Sequence, residues 1–213
     1  MVAIPLILKL KKERHKEIAR AQDIIVREIY KIFDKAVLHG GTAIWRCYQG
    51  NRFSEDIDMY IPREMEKLES FFSNLVQLGF LVEKKKINEN SIYSSLNLNG
   101  TIVRFEALFR KAEGSLKEYE KADGNFITVY TLLPEEIIKE KVDTYLKRLK
   151  IRDIYDIFFL LRYVQKKEEV RKELARLIKN FKKPADEREL KALVFEGIAP
   201  GSEKMLSYFK RGL

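Results

Sequence analysis

Asp56 and Asp58 stand two residues apart in the stretch Asp56-Ile57-Asp58-Met59-Tyr60-Ile61, whose period-two alternation predicts a strand. On a strand both carboxylates project from one face, while Ile57 and Met59 point to the other, buried one. Two like charges so close disfavour having both ionised, and a divalent cation between them removes that penalty. Such a cation can then bridge to triphosphate oxygens. Upstream, His39-Gly40-Gly41-Thr42-Ala43-Ile44-Trp45 places Gly40 and Gly41 between a predicted strand and a predicted helix. Glycines there let the backbone approach a ligand and leave the first helical N–H groups for a phosphate. Thr42 adds a hydroxyl. A lone Gly-Gly or a lone Asp-x-Asp says little. In this order and at this short separation they supply what phosphoryl and nucleotidyl transfer require.

These residues need a frame, and the periodicity predicts one. Ile18, Ala21, Ile25, Ile29 and Phe33 recur at helical steps over 12–33, and Ala36-Val37-Leu38 reads as a short buried strand ending at the glycines. A short helix is expected over 42–48, a strand over 56–61, and a helix over 64–78 after Pro62. A strand opens at Phe80-Leu81-Val82. Strands over 92–98 and 101–109 flank Asn99-Gly100, a type I′ hairpin signal, and one more strand is expected at 126–132. From Pro134, with Glu135 and Glu136 in the first turn, the pattern is helical throughout: 134–149, 153–165, 167–180, 186–196 and 202–210. The division expected is an α+β lobe over 1–133 and a helical lobe over 134–213.

Composition narrows the chemistry. Hydrophobic residues make up 46% of the 213, enough for a core, which excludes global disorder. The single cysteine, Cys47, excludes an internal disulfide framework and a cysteine zinc site, and His15 and His39 are too few for a histidine-rich one. Any metal is therefore held by carboxylates, which favours Mg²⁺ or Mn²⁺. A net charge of +9 suits a polyanionic partner. The apolar opening Met1-Val2-Ala3-Ile4-Pro5-Leu6-Ile7-Leu8 lacks a basic start and gives way to lysines too soon for a signal peptide. No stretch is long enough for a membrane span, so a soluble, cytoplasmic protein is expected.

The text from His39 to Tyr60, with Gly40-Gly41-Thr42 followed by Arg52-Phe53-Ser54-Glu55-Asp56-Ile57-Asp58, resembles the signature of the AbiEii-type nucleotidyltransferases. These are the toxin halves of type IV toxin–antitoxin pairs, within the polymerase-β-like superfamily. The resemblance implies a mixed sheet flanked by helices and followed by a helical bundle. It implies transfer of an NMP from an NTP, with Mg²⁺ on Asp56 and Asp58 and the triphosphate on Gly40, Gly41, Thr42 and Ser54; Arg52, by its charge and place beside them, reads as a further phosphate ligand. A third carboxylate is expected on a later strand, and Glu106 interrupts an apolar strand on what reads as an inward face; the other reading is an exposed edge-strand Glu.

In the helical part the resemblance carries a lysine onto Lys141, with Lys139 as the alternative, and an Arg-Asp-x-x-Asp stretch onto Arg152, Asp153 and Asp156. That stretch closes the family's nucleotide site from the second lobe, and whether a carboxylate acts as base or orients Lys141 and Arg152 stays open. Lys141 sits beside an apolar stripe, where lysines also simply snorkel. Asp153 also reads as an N-cap, and Asp156 as a partner of Arg152 or Lys150. Ser54 also reads as a turn residue, Arg52 as a partner of Glu55, and His39 as a hydrogen-bonded structural histidine. Cys47 and Trp45 read as packing, and Lys84-Lys85-Lys86 and the cluster over 147–150 as an RNA-backbone surface or plain solvated faces.

The acceptor implied is the tRNA 3′ end, with an antitoxin protein as partner. The competing functions are transfer to a protein or small-molecule hydroxyl, and a non-catalytic NTP-, RNA- or antitoxin-binding module.

Overall fold

A strand buried on one face alternates apolar and polar residues, and Thr101–Phe109 does so along its whole length: Thr101, Val103, Phe105 and Ala107 are buried, Ile102, Arg104, Glu106 and Leu108 exposed. The computed structural model describes residues 4–211; Met1-Val2-Ala3 of the apolar opening lies outside them. Contacts divide the chain into two compact units, one of Met1–Gln49 with Phe53–Leu132, the other of Gly50–Arg52 with Leu133–Leu213.

The first unit runs α1 (Leu6–Lys9), α2 (Glu13–Ile32), β1 (Val37–His39), α3 (Gly40–Cys47), β2 (Ile57–Ile61), α4 (Met65–Gln77), β3 (Leu81–Ile87), β4 (Ser91–Leu98), β5 (Thr101–Phe109), β6 (Ser115–Glu120) and β7 (Phe126–Thr131). The strands form one mixed sheet of seven in the order β3-β4-β5-β2-β1-β7-β6, with β1/β7 and β2/β5 parallel and the rest antiparallel. Asn99 and Gly100 both take positive φ, 51° and 86°, as the type I′ turn between β4 and β5 requires. The core lies between one sheet face and the helices α2 and α4, where Ile18, Ile25, Ile29, Leu68, Phe71 and Leu75 are buried. The Phe71 ring reaches Phe105 of β5 at 5.1 Å.

α3 is fixed from behind by Arg46. Its guanidinium is wholly buried and donates to Ala19 C=O, Glu120 C=O and the Asp23 carboxylate at 2.9–3.0 Å. The Trp45 and Tyr119 rings lie 4.2 and 5.1 Å from the same guanidinium.

β6 is the strand the sequence did not announce. It is a sheet edge reading Ser-Leu-Lys-Glu-Tyr-Glu, with only Tyr119 and Glu120 buried, so its polarity hides the alternation.

In the second unit α5 (Pro134–Arg148) opens with proline at its first position, and the Glu136 carboxylate accepts Leu133 N–H at 2.9 Å. It closes at Leu149 in the left-handed region, φ 52°. Then come α6 (Ile151–Leu160), α7 (Glu168–Lys179), a 3₁₀ turn (Glu187–Glu189), α8 (Leu190–Leu193) and α9 (Ser202–Arg211). The single helix expected over 186–196 is broken. Val194 leaves helical geometry to form a β-bridge with Arg52, and Phe195 N–H donates to Asn51 C=O at 3.0 Å.

Candidate active site

In the first unit the residues expected to do chemistry gather where β1, β2 and β5 lie side by side. His39 stands opposite Asp58 in the sheet register, and Asp58 stands beside Glu106. Asp58 is pressed against the start of α3: a Cβ placed on Gly40 would fall 2.2 Å from Asp58 Oδ2. Gly40 has φ +70°, so glycine is required there for its conformation as well as its size. α3 begins at this glycine with no side-chain cap and no acidic residue in its first turn, so its N-terminal N–H groups and positive dipole end face the same place.

Thr42 behaves differently from expectation. It is wholly buried, and its hydroxyl donates to Asp56 C=O, tying α3 to the residue before β2. Ser54 is held from behind, its carbonyl accepting Gln22 Nε2 at 3.0 Å.

Glu106 lies neither inward nor at an edge. It is exposed on central strand β5, on the face opposite Phe105 and the core. Asp56 carries a partner that the sequence reading missed, Arg104, which donates from Nε at 2.6 Å and Nη2 at 2.8 Å to its two carboxylate oxygens. Burial pushes the Glu106 carboxyl above its ordinary range, and the charges of Asp58 and Asp56 push it further, against Arg104. The three carboxylates therefore sense one another.

His39 stacks on Tyr60, ring centroids 3.9 Å apart and planes 7° apart, and the Arg110 guanidinium sits 4.0 Å from the same Tyr60 ring. Trp45 packs edge-on against Phe53, and burial pushes the Cys47 thiol up to about 12, which leaves it no nucleophile.

The second unit holds a buried ionic cluster. Lys141 Nζ lies 2.7 Å from Asp156 Oδ2 and 3.6 Å from Asp153 Oδ1. Arg52 binds Asp156 bidentately, both bonds 2.8 Å, and Arg148 binds Asp153 in the same way at 2.8 Å. Asp153 and Asp156 are essentially inaccessible to solvent. Burial alone would raise the Asp156 carboxyl, but the Arg52 and Lys141 charges with their hydrogen bonds outweigh it and hold the carboxyl below its ordinary value.

Several alternatives are thereby decided. Asp156 pairs with Arg52 and Lys141 rather than with Arg152 or Lys150; Lys150 pairs with Asp186 at 3.5 Å. Arg52 pairs with Asp156 rather than Glu55. Asp153 is no N-cap, since α6 starts at Ile151 after Lys150. Lys141, not Lys139, joins the carboxylates. Arg148, like Arg104, was missed. Both lie in strongly basic or alternating text where nothing distinguishes them from solvated cations.

The model of the family described as "Nucleotidyl transferase AbiEii toxin, Type IV TA system" matches residues 24–211. The chain belongs to the AbiEii nucleotidyltransferase toxin family. Among solved structures, the fold is similar to MenT4, a nucleotidyltransferase toxin from Mycobacterium tuberculosis H37Rv, at TM-score 0.66 and 16% identity, covering 96% of this chain and 85% of that one. It is also similar to JHP933 from Helicobacter pylori, at TM-score 0.59 and 20% identity, covering 91% of this chain and 89% of that one. No curated protein matches the sequence.

As an AbiEii member the protein is a nucleotidyltransferase, for which the family implies an NTP substrate, an antitoxin partner and a divalent cation. The donor chemistry around Asp58 suits such a cation: hard carboxylate oxygens, with Glu106 beside Asp58 in the sheet register. In this structure their oxygens do not converge on one point, however. Among the described residues no group of three or more His, Cys, Asp or Glu side chains converges to hold a metal, and both Asp56 oxygens bind Arg104. No helix among the described residues is long and apolar enough to cross a membrane.

Proposed function

We propose that this AbiEii nucleotidyltransferase transfers an NMP from an NTP to an RNA 3′ hydroxyl, with a tRNA 3′ end as the acceptor, and that an antitoxin protein restrains it. The observation that carries the NTP reading is the close approach of Asp58 to Gly40, which sets a carboxylate beside the N-terminus of α3. A triphosphate is the ligand for which these opposite features work together. The helix N–H groups would take phosphate oxygens, and the carboxylates would hold a divalent cation that offsets the triphosphate charge. Asp56 and Asp58, with Glu106 as the third carboxylate, are the residues that would hold Mg²⁺ or Mn²⁺, which would supply charge neutralisation for the triphosphate and activation for the attacking hydroxyl. Gly40 and Gly41 provide the close backbone approach, and Ser54, anchored through its carbonyl, supplies a hydroxyl. Lys141, gripped by Asp153 and Asp156, is the candidate catalytic lysine.

The RNA acceptor is supported by charge on the Glu106 side of the sheet. Tyr93 of β4 is Glu106's register partner, and Lys86 of β3 is Tyr93's; Lys84 lies opposite Ser95, the partner of Arg104. Cross-strand partners share a face, so Lys84, Lys86 and Tyr93 lie on the same side as the carboxylates. At about 4.8 Å per strand, Lys86 is about 10 Å from Glu106. Cations beside an aromatic ring suit a flexible strand, by phosphate contact and base stacking.

The test is incubation with Mg²⁺, each of four labelled NTPs and total RNA, beside an Asp56→Ala/Asp58→Ala control. Label in the tRNA band, absent from the control, supports the reading and names the base. Label on the protein itself moves the acceptor to a protein hydroxyl. NTP binding without transfer to any acceptor overturns the proposed reaction.

A further inference from the structure

Arg104 occupies the ligand atoms that the proposed function needs. Its Nε and Nη2 engage Oδ1 and Oδ2 of Asp56 at 2.6 and 2.8 Å, so both carboxylate oxygens are engaged by one planar fork. Ile57 lies beside Phe105 and Asp58 beside Glu106, so Asp56 and Arg104, each one residue earlier, stand at the entrance to the same parallel ladder. Glu106 follows two residues along β5 and shares Arg104's exposed face. Asp56, Asp58 and Glu106 thus have Arg104 as a cation built into their own sheet. The pair is not locked in place. The Arg104 side chain is 45% exposed and that of Asp56 23%, so the ion pair opens to solvent at little cost. This distinguishes it from the buried Arg52–Asp156 pair, whose side chains are 6% and 1% exposed.

We propose that Arg104 is an exchange group: it is the resting counter-ion of Asp56, competes with the divalent cation for that carboxylate, and on displacement turns its guanidinium to the phosphates of the incoming nucleotide. This rests on the assignment of Asp56 and Asp58 as cation ligands. With nothing bound, three neighbouring carboxylates would repel one another, and Arg104 relieves that repulsion. A divalent cation carries more charge than a guanidinium and would bind carboxylate oxygen directly, which would favour it over Arg104 at Asp56. The freed guanidinium keeps its charge at any working pH and matches a phosphate as well as it matched the carboxylate. Arg104 would then couple the arrival of the cation to that of the triphosphate.

The test uses the full chain and Mn²⁺ alone, with free Mn²⁺ followed by electron paramagnetic resonance, on wild type, Arg104→Gln, Arg104→Lys and Asp58→Asn. Arg104→Gln should bind Mn²⁺ about two- to fivefold more tightly than wild type, the scale of a half-exposed ion pair. It should bind a non-hydrolysable NTP analogue with Mg²⁺ several-fold more weakly, with Arg104→Lys between. Circular dichroism establishes that each variant is folded. Mn²⁺ affinity unchanged or lowered in Arg104→Gln overturns the exchange, provided Asp58→Asn weakens Mn²⁺ binding. If Asp58→Asn leaves Mn²⁺ binding intact, the cation assignment itself fails and the exchange with it. Tighter Mn²⁺ binding with unchanged analogue binding overturns the hand-over to phosphate.

Discussion

The Asp58 carboxylate packs directly on Gly40, so close that a methyl group on that glycine would sit 2.2 Å from Oδ2. Strand β2 and the start of helix α3 therefore meet through a residue that must have no side chain. Gly40→Ala should abolish nucleotidyl transfer, both by displacing Asp58 and by forcing a side chain into φ +70°. Gly100, whose φ is also positive but whose Cβ would meet nothing within 4 Å, is the control. Gly100→Ala should cost about 1–2 kcal/mol of stability from backbone strain alone and spare activity. Retained activity in Gly40→Ala, measured with labelled NTP, would refute the assignment of this contact to the active site.

Lys141 and Asp156 should separate chemistry from stability. Lys141→Met leaves Asp156 still bound by Arg52, so the fold should hold while activity falls about 100-fold or more, as when one charge-stabilising donor is removed. Asp156→Ala leaves Arg52 and Lys141 without a shared carboxylate and should cost about 3–5 kcal/mol. Lys139→Met should change neither. Urea unfolding beside a transfer assay distinguishes the three, and equal loss of activity in Lys139→Met and Lys141→Met would refute the choice of lysine.

Acid should loosen the second unit through Asp156. Its folded-state pKa lies below its unfolded value of about 4, so the unfolded chain binds the proton first. The contribution is fully present above about pH 4 and is lost as pH falls through the lower folded-state value. Chemical denaturation from pH 7 to pH 3 should show an acid-side decline that is shallower in Asp156→Asn, which starts less stable. Parallel declines in the two proteins would mean that another group governs the acid limb.

Lys84 and Lys86 should matter to RNA and to salt. If each contacts one phosphate of a single strand, Lys84→Gln/Lys86→Gln should reduce the slope of log affinity against log salt by about 1.4, at about 0.7 per contact. Fluorescence anisotropy with labelled tRNA at several salt concentrations measures this. An unchanged slope would return these lysines to the solvated surface.

Much of this was written in local text. The period-two run around Asp58, the glycines that open α3, the Asn99-Gly100 turn and the Pro134 start each depend on backbone geometry that a few neighbouring residues set, and each folds as its spacing dictates. The family was legible for the same reason, since its signature is short and contiguous. β6 was not, because an edge strand gains its shape from the partner beside it. The break at Val194 was not, because its cause is a bridge to Arg52 far away in sequence. Ion pairing was decided wholly by tertiary structure. Arg104 reaches Asp56 because β5 runs parallel to β2 in one register, and Arg52 reaches Asp156 across 104 residues of chain. Lysines and arginines are common and their side chains long, so sequence reveals which charges exist but not which carboxylate each will meet. Only packing settles that, by burying Asp153 and Asp156 where an unpaired charge would be prohibitive and by aligning strands so that Asp56 and Arg104 stand side by side.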